Sequence, residues 1–164
     1  GLERFFEIIS IFDGKGIPIS IIGNAIPGSI DWLSNCKMQY PRVSFHQDLS
    51  PDAISSLLHV AQIAILPYPD GISERRGSAL AALANGLQVV TTKGAATTDA
   101  LSRVCHLFDD NAQAQNILRR LLSGEIDPIS PGQMDEFVDR RSWANISEQH
   151  LDIYKKLDQI TDRY

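Results

Sequence analysis

The run from Ile63 to Thr92 constrains this chain more than any other part of it. Ile63 to Leu66 has no polar side chain and suits a strand buried on both faces. Pro67 and Pro69 close it, because proline donates nothing to a sheet ladder. Asp70-Gly71 then makes a turn in which the glycine supplies a positive φ. Gly77 to Asn85 is made of small and apolar residues and predicts a helix that can lie close against a sheet, with Asn85-Gly86 as its C-cap. Gln88 to Thr92, β-branched from Val89 onward, predicts the next strand. Arg75 and Arg76 stand just ahead of that helix. Helix N-termini carry free N–H groups and partial positive charge, and guanidinium groups bind phosphate or carboxylate in a fork, so this junction is a candidate anion site.

In order and spacing this stretch resembles the donor-binding segment of the GT-B glycosyltransferases, specifically the group 1 family of retaining, nucleotide-sugar-dependent enzymes. Leu66-Pro67, Asp70-Gly71, Leu80 to Gly86 and Leu87 to Thr92 carry the resemblance. The family has a pair of glutamates across the loop and helix. The corresponding positions here are near Ser73 and Ala81, so the chain is divergent at the paired-glutamate motif, and Glu74, one residue away, is a candidate substitute. The resemblance implies a substrate-binding set of Gly23, Asn24, Gln47, Asp70, Gly71, Ser73, Glu74, Arg75, Arg76, Gly77 and Ser78. Gly23-Asn24 matches the family's glycine loop near the nucleotide. Gln47 and its neighbours match the loop that holds the base through backbone groups. No catalytic residue is assigned, and the resemblance implies no metal and no other cofactor for donor binding.

Along the rest of the chain, apolar runs alternate with amphipathic segments. Leu2 to Phe12 has helical spacing. Strands are expected at Ile17–Ile22, Val43–His46 and Val104–Phe108, and helices at Ile30 to Met38, from Pro51, at Thr97 to Leu101, from Asn111 to Leu122, at Met134 to Arg140 and from Trp143 onward. That alternation predicts an α/β fold, a Rossmann-like doubly wound sheet with all five strands parallel in one sheet, and the resemblance implies that this is one half of a GT-B fold. The 164 residues are enough for a single nucleotide-sugar-binding domain with a core. A net charge of −5 and the lack of a basic stripe argue against nucleic acid as a partner. Cys36 and Cys105 fit no metal spacing, and no apolar run reaches membrane-spanning length, so a cytoplasmic protein is expected.

The resemblance also implies missing parts. In the family a strand precedes the first helix, its loop carries an arginine and a lysine on the donor diphosphate, and an N-terminal acceptor domain lies before that. The partners implied are a nucleoside diphosphate sugar and that N-terminal domain, with peripheral membrane association through the full-length protein left open. This chain alone should not turn over.

Each candidate has a plainer reading beside it. Arg75 and Arg76 can be solvated charges, Asp70 an Asx-turn and Ser78 a helix cap. Gly23-Asn24 can be turn residues only, and Glu74 a solvated carboxylate. His46 has no acid or nucleophile paired with it in sequence. Thr91-Thr92-Lys93 has the residue types of a receiver domain, but the acidic pair that such a domain needs is missing. Asp109-Asp110 reads as a helix cap rather than a metal site. The function expected is transfer of a sugar to a hydroxyl acceptor in polysaccharide or glycolipid assembly. A non-catalytic Rossmann-like nucleotide-binding module and a sugar-nucleotide epimerase-like domain remain alternatives. The final helix carries more apolar surface, at Trp143, Ile146, Leu151, Ile153, Tyr154 and Leu157, than a domain of this size needs, so part of it is expected to stay exposed or to be covered by another copy.

Overall fold

A computed structural model describes the backbone at residues 2–24 and 30–161, and side chains throughout these except at 30–33 and 157–161. In chain order the elements are α1 (Leu2–Ile9, extended by a 3-10 turn over Ser10–Phe12), β1 (Ile19–Ile22), α2 (Ile30–Gln39), β2 (Val43–His46), α3 (Pro51–Val60), β3 (Ile63–Leu66), α4 (Gly77–Ala84), β4 (Gln88–Thr92), α5 (Asp99–Val104), β5 (His106–Phe108), α6 (Asn111–Ser123), α7 (Pro131–Asp139) and α8 (Trp143–Thr161). Helix starts follow the capping residues of the sequence. Ser50 accepts a hydrogen bond from Ala53 N with Pro51 in the first turn, Thr98 accepts from Leu101 N, Asp110 accepts from Gln113 N, and Ser130 with Gln133 forms a capping box. Four expected elements shift: β1 begins at Ile19 rather than Ile17, α7 opens at Pro131 rather than Met134, and α5 and β5 exchange a boundary. Val104 ends α5 instead of opening a strand, because Thr98 caps that helix and sets its phase, and β5 is correspondingly short.

All pairings are parallel, but they fall into two ladders rather than one. β1 pairs with β2, and β3, β4 and β5 pair in that order. Two apolar layers flank them. On one face Ala64, Leu66 and Val89 meet α4, α5 and α7, and Leu58 of α3 joins them. On the other, Ile19, Ile21, Val43, Phe45, Ile63, Ile65 and Val90 meet α1, α6 and Cys36 of α2. Right-handed crossovers with helices on one face step the same way across a sheet, and those on the opposite face step back. α3, α4 and α5 therefore carry the chain outward from β2 through β3 to β5, while α2 carries β1 to β2 in the opposite sense. By that rule the order across the two ladders runs β2, β1, then β3, β4, β5, a doubly wound arrangement with β1 and β3 as neighbouring edges that do not pair among the described residues.

The expected single sheet is thus interrupted between β1 and β3, with α1 bridging the two parts on one face. Phe6 of α1 stacks on Tyr40 beside β2, at 4.0 Å between ring centroids, and Arg4 lies 5.1 Å over Phe108 of β5. The interruption also corrects the expectation for β3. All four of its side chains are only half-buried, and α3 above it has no fully buried residue. An apolar strand is covered on both faces only when its neighbours complete the sheet beneath the helices. In α8, Trp143, Leu151, Ile153 and Tyr154 are exposed, as expected, and Ile146 is half-buried; the side chain of Leu157 lies outside the described residues. No described helix is long and apolar enough to cross a membrane.

Candidate functional site

Parallel strands deliver their C-terminal loops to one rim, which is where open α/β sheets bind ligands. Every expected site residue follows the end of a strand and so lies on that rim. Gly23-Asn24 follows β1, Gln47 follows β2, and Asp70 to Ser78 follows β3. The first two loops are tied together: Gly23 N donates to His46 O at 3.1 Å, and Asp48 N donates to Asn24 Oδ1 at 3.0 Å. Asp48 has a φ of 51°, a strained left-handed conformation for a non-glycine residue that asparagine and aspartate tolerate best.

The loop after β3 is held far more firmly. Thr91 Oγ1 donates to Leu66 O and Thr92 Oγ1 to Tyr68 O, so two buried threonines of β4 fix the strand exit. Ile72, in the middle of the loop, is fully buried in the core, and its N–H donates to Thr92 O at 2.9 Å while its carbonyl accepts from Thr97 Oγ1 at 3.0 Å. Gly71, at φ 83°, packs directly on Gly94 of the loop after β4, and a Cβ added to either would overlap backbone atoms of the other loop. The Asp70-Gly71 turn is therefore required by a close approach of two backbones as well as by its dihedral.

The charged residues of the loop are engaged with one another. Arg76 pairs with Asp70 and lies 4.6 Å over the Tyr68 ring, with a third of its side chain exposed. Asp70 is thus an ion-pair partner in this state. Tyr68 Oη and Ser78 Oγ share a hydrogen bond of 2.7 Å, so Ser78 does not cap α4; Arg76 holds the N-cap position and makes no side-chain cap. Burial pushes the Tyr68 phenol up, against the opposing pull of Ser78 and Arg76. Arg75 is exposed. Ala79 N is already spent on Arg76 O at 3.0 Å, which leaves the anion-facing role at the start of α4 to Gly77 and Ser78.

Glu74 is held by two groups that the sequence reading did not single out. Thr98 Oγ1 donates to its Oε1 at 2.8 Å, and Arg141 Nη2 reaches its Oε2 at 2.8 Å. Burial alone pushes the Glu74 carboxyl up, but the Thr98 and Arg141 hydrogen bonds and the Arg141 charge together hold it below the usual glutamate range. Ser73 accepts from Arg76 N through its carbonyl and closes a tight turn, while the exposed Ala81 lies on α4. Arg141 carries no sequence signal of its own. Only its placement between α7 and α8 brings it to the loop.

A separate cleft lies away from this rim. It measures about 890 Å³ at the opposite end of β1 and β2, between α1 and residues such as Ile17, Tyr40 and Arg42, and it contains none of the candidate residues.

No protein-family model matches the sequence, and no curated protein matches it. Among solved structures, the chain is similar to WaaG, a glycosyltransferase involved in lipopolysaccharide biosynthesis, at 17% identity and a TM-score of 0.58 over 93% of this chain. The fold is glycosyltransferase-like. The match takes in 43% of the WaaG chain, so this chain spans less than half the length of that glycosyltransferase. It has the parallel strands and two-sided helical cover of one Rossmann-like half of a GT-B fold.

Proposed function

We propose that this chain is the donor-binding half of a retaining, group 1-like glycosyltransferase that moves a sugar from a nucleoside diphosphate sugar to a hydroxyl acceptor in polysaccharide or glycolipid assembly. The observation that carries the reading is the rigid Pro67–Ser78 loop at the end of β3, which delivers Arg75, Arg76 and the N-terminus of α4 to one rim of a glycosyltransferase-like fold. Positive charge fixed in advance at that point would stabilise the charge that grows on a diphosphate leaving group. Gly23, Asn24 and Gln47 would flank the nucleoside. The acceptor site would come from an N-terminal domain outside these 164 residues, and the unpaired edges of β1 and β3 offer a seat for the strand that precedes the first helix in the family. We place the enzyme in the cytoplasm, with membrane contact through the full-length protein only.

Glu74 favours a second reading. Its carboxylate is occupied by Thr98 and Arg141, and neither motif glutamate is present, so a module that binds nucleotide without transferring sugar is the competing outcome. One experiment separates these. Calorimetry with uridine, adenosine and guanosine diphosphates, and with their sugars, should show binding by the full-length protein. Replacing Arg75 and Arg76 together with alanine should weaken it by about 2–4 kcal/mol, taking 1–2 for each charge-assisted contact, with nucleosides unaffected. Unchanged diphosphate affinity would remove the site; binding without turnover by the full-length protein would leave the module.

A further inference from the structure

We infer that Arg141 is a positioning residue for the Pro67–Ser78 loop. It grips Glu74 and thereby sets the backbone that carries Arg75, Arg76 and the start of α4. The brace itself stands on geometry alone; its consequence for diphosphate rests on the reading above.

Arg141 lies in the short joint between α7 and α8, and its side chain is only 19% exposed. A guanidinium that far from water is costly unless its charge and donors find partners. Its Cζ lies 3.6 Å from the centre of the Phe137 ring, Nη1 donates to Phe137 O at 3.0 Å, and Nη2 takes Glu74. Nε is buried with no hydrogen-bond partner, so Glu74 supplies the only countercharge among the described ion pairs of this arginine. Thr98 holds the other carboxylate oxygen while also capping α5 through Leu101 N. Both oxygens of Glu74 are therefore fixed, from two different elements.

Glu74 is the residue immediately before the arginine pair. Upstream, Ile72 and the Gly71–Gly94 contact pin the loop, and downstream α4 begins at Gly77. Between these anchors Arg76 N closes a turn on Ser73 O, and the Arg141–Glu74–Thr98 contact ties that turn to α5 and to the joint between α7 and α8. The α4–α7 packing has its own apolar support in Leu83, Met134 and Phe137. Loss of the Arg141 grip should therefore loosen the loop without unfolding the core.

The test compares Arg141→Met, which keeps an unbranched stem over Phe137, with Arg141→Lys, Glu74→Gln and the Arg141→Met/Glu74→Gln pair. Amide exchange on the 164-residue chain should rise about tenfold at Arg76, whose N–H closes the 73–76 turn, in Arg141→Met, while β4 protection stays as in the wild type. Lysine should recover much of that protection, and the double variant should be no worse than Arg141→Met alone. Whichever of uridine, adenosine and guanosine diphosphate binds the full-length protein most tightly should bind Arg141→Met about tenfold more weakly, with its nucleoside unchanged. Unaltered exchange at Arg76, or additive losses in the double variant, would overturn the brace. Loosened exchange with unchanged diphosphate affinity would overturn the positioning role. If no diphosphate binds the wild type, the functional reading fails and the exchange arm still decides the brace. Should Arg141→Met not fold, Glu74→Gln and Arg141→Lys carry the same comparison.

Discussion

The β3–β5 part and the β1–β2 part of this molecule are built from the same parallel strands and crossover helices, yet they are secured differently. In the first, β4 is buried from Val89 to Thr92, its two threonines hold the β3 exit, and Gly71 and Gly94 lock the two following loops together. In the second, every strand side chain is half-buried or exposed, and the rim loops meet through Gly23 with His46 and Asn24 with Asp48. A central strand covered on both sides can spend buried polar groups on fixing a loop. A two-stranded ladder beside an unpaired edge cannot, since water competes for the same groups. The rigid part carries the arginine loop and the looser part carries the residues expected around the nucleoside.

The largest expected effect comes from the interlock. Gly94→Ala places a Cβ against the Asp70 carbonyl, where only backbone can move, and should cost about 3 kcal/mol in urea unfolding. Gly23→Ala, in open space on the other rim loop, should stay within about 0.5 kcal/mol. Equal losses at the two glycines would break the contrast. Next in size, native-state amide exchange should protect Val89 to Thr91 about 100-fold more than Ile19 to Ile22; similar protection would mean that the two ladders open as one unit.

The smallest effect is a pH dependence confined to the rigid part. Burial lowers the His106 pKa, and its Nε2 lies 3.0 Å from Gln88 Oε1, an atom that also accepts from Ile129 N. The folded protein therefore holds His106 neutral where the unfolded chain takes up a proton. This contribution to stability is complete above the ordinary histidine value of 6.5 and is lost as pH falls through the lowered folded value. Glu74 is also lowered, but its window lies below the ordinary glutamate value of 4.5, so the two separate. Between pH 7 and pH 5.5 the urea midpoint should fall more in the wild type than in His106→Asn. An identical fall in both would show that His106 is not the group responsible.

Sequence alone determined the alternation of elements, because periodicity and capping are local. Ser50-Pro51 and Asp110 mark helix starts without reference to anything distant, whereas Thr98 and Ser130 cap helices that the sequence reading opens at Thr97 and Met134. It also placed the site residues on one rim, since parallel strands leave no other place for their C-terminal loops. Tertiary structure decided how those residues are used. Asp70 is spent on Arg76, Ser78 on Tyr68 and Glu74 on Thr98 and Arg141. The first two pairs close within the loop after β3, while the partners of Glu74 come from elements that meet only after the sheet has formed, and an arginine far down the chain has no periodicity that would announce it. The break between β1 and β3 belongs to the same class. An apolar run such as Ile63 to Leu66 states that a strand wants neighbours on both sides, but only the packed structure shows that, among the described residues, it pairs on one side alone.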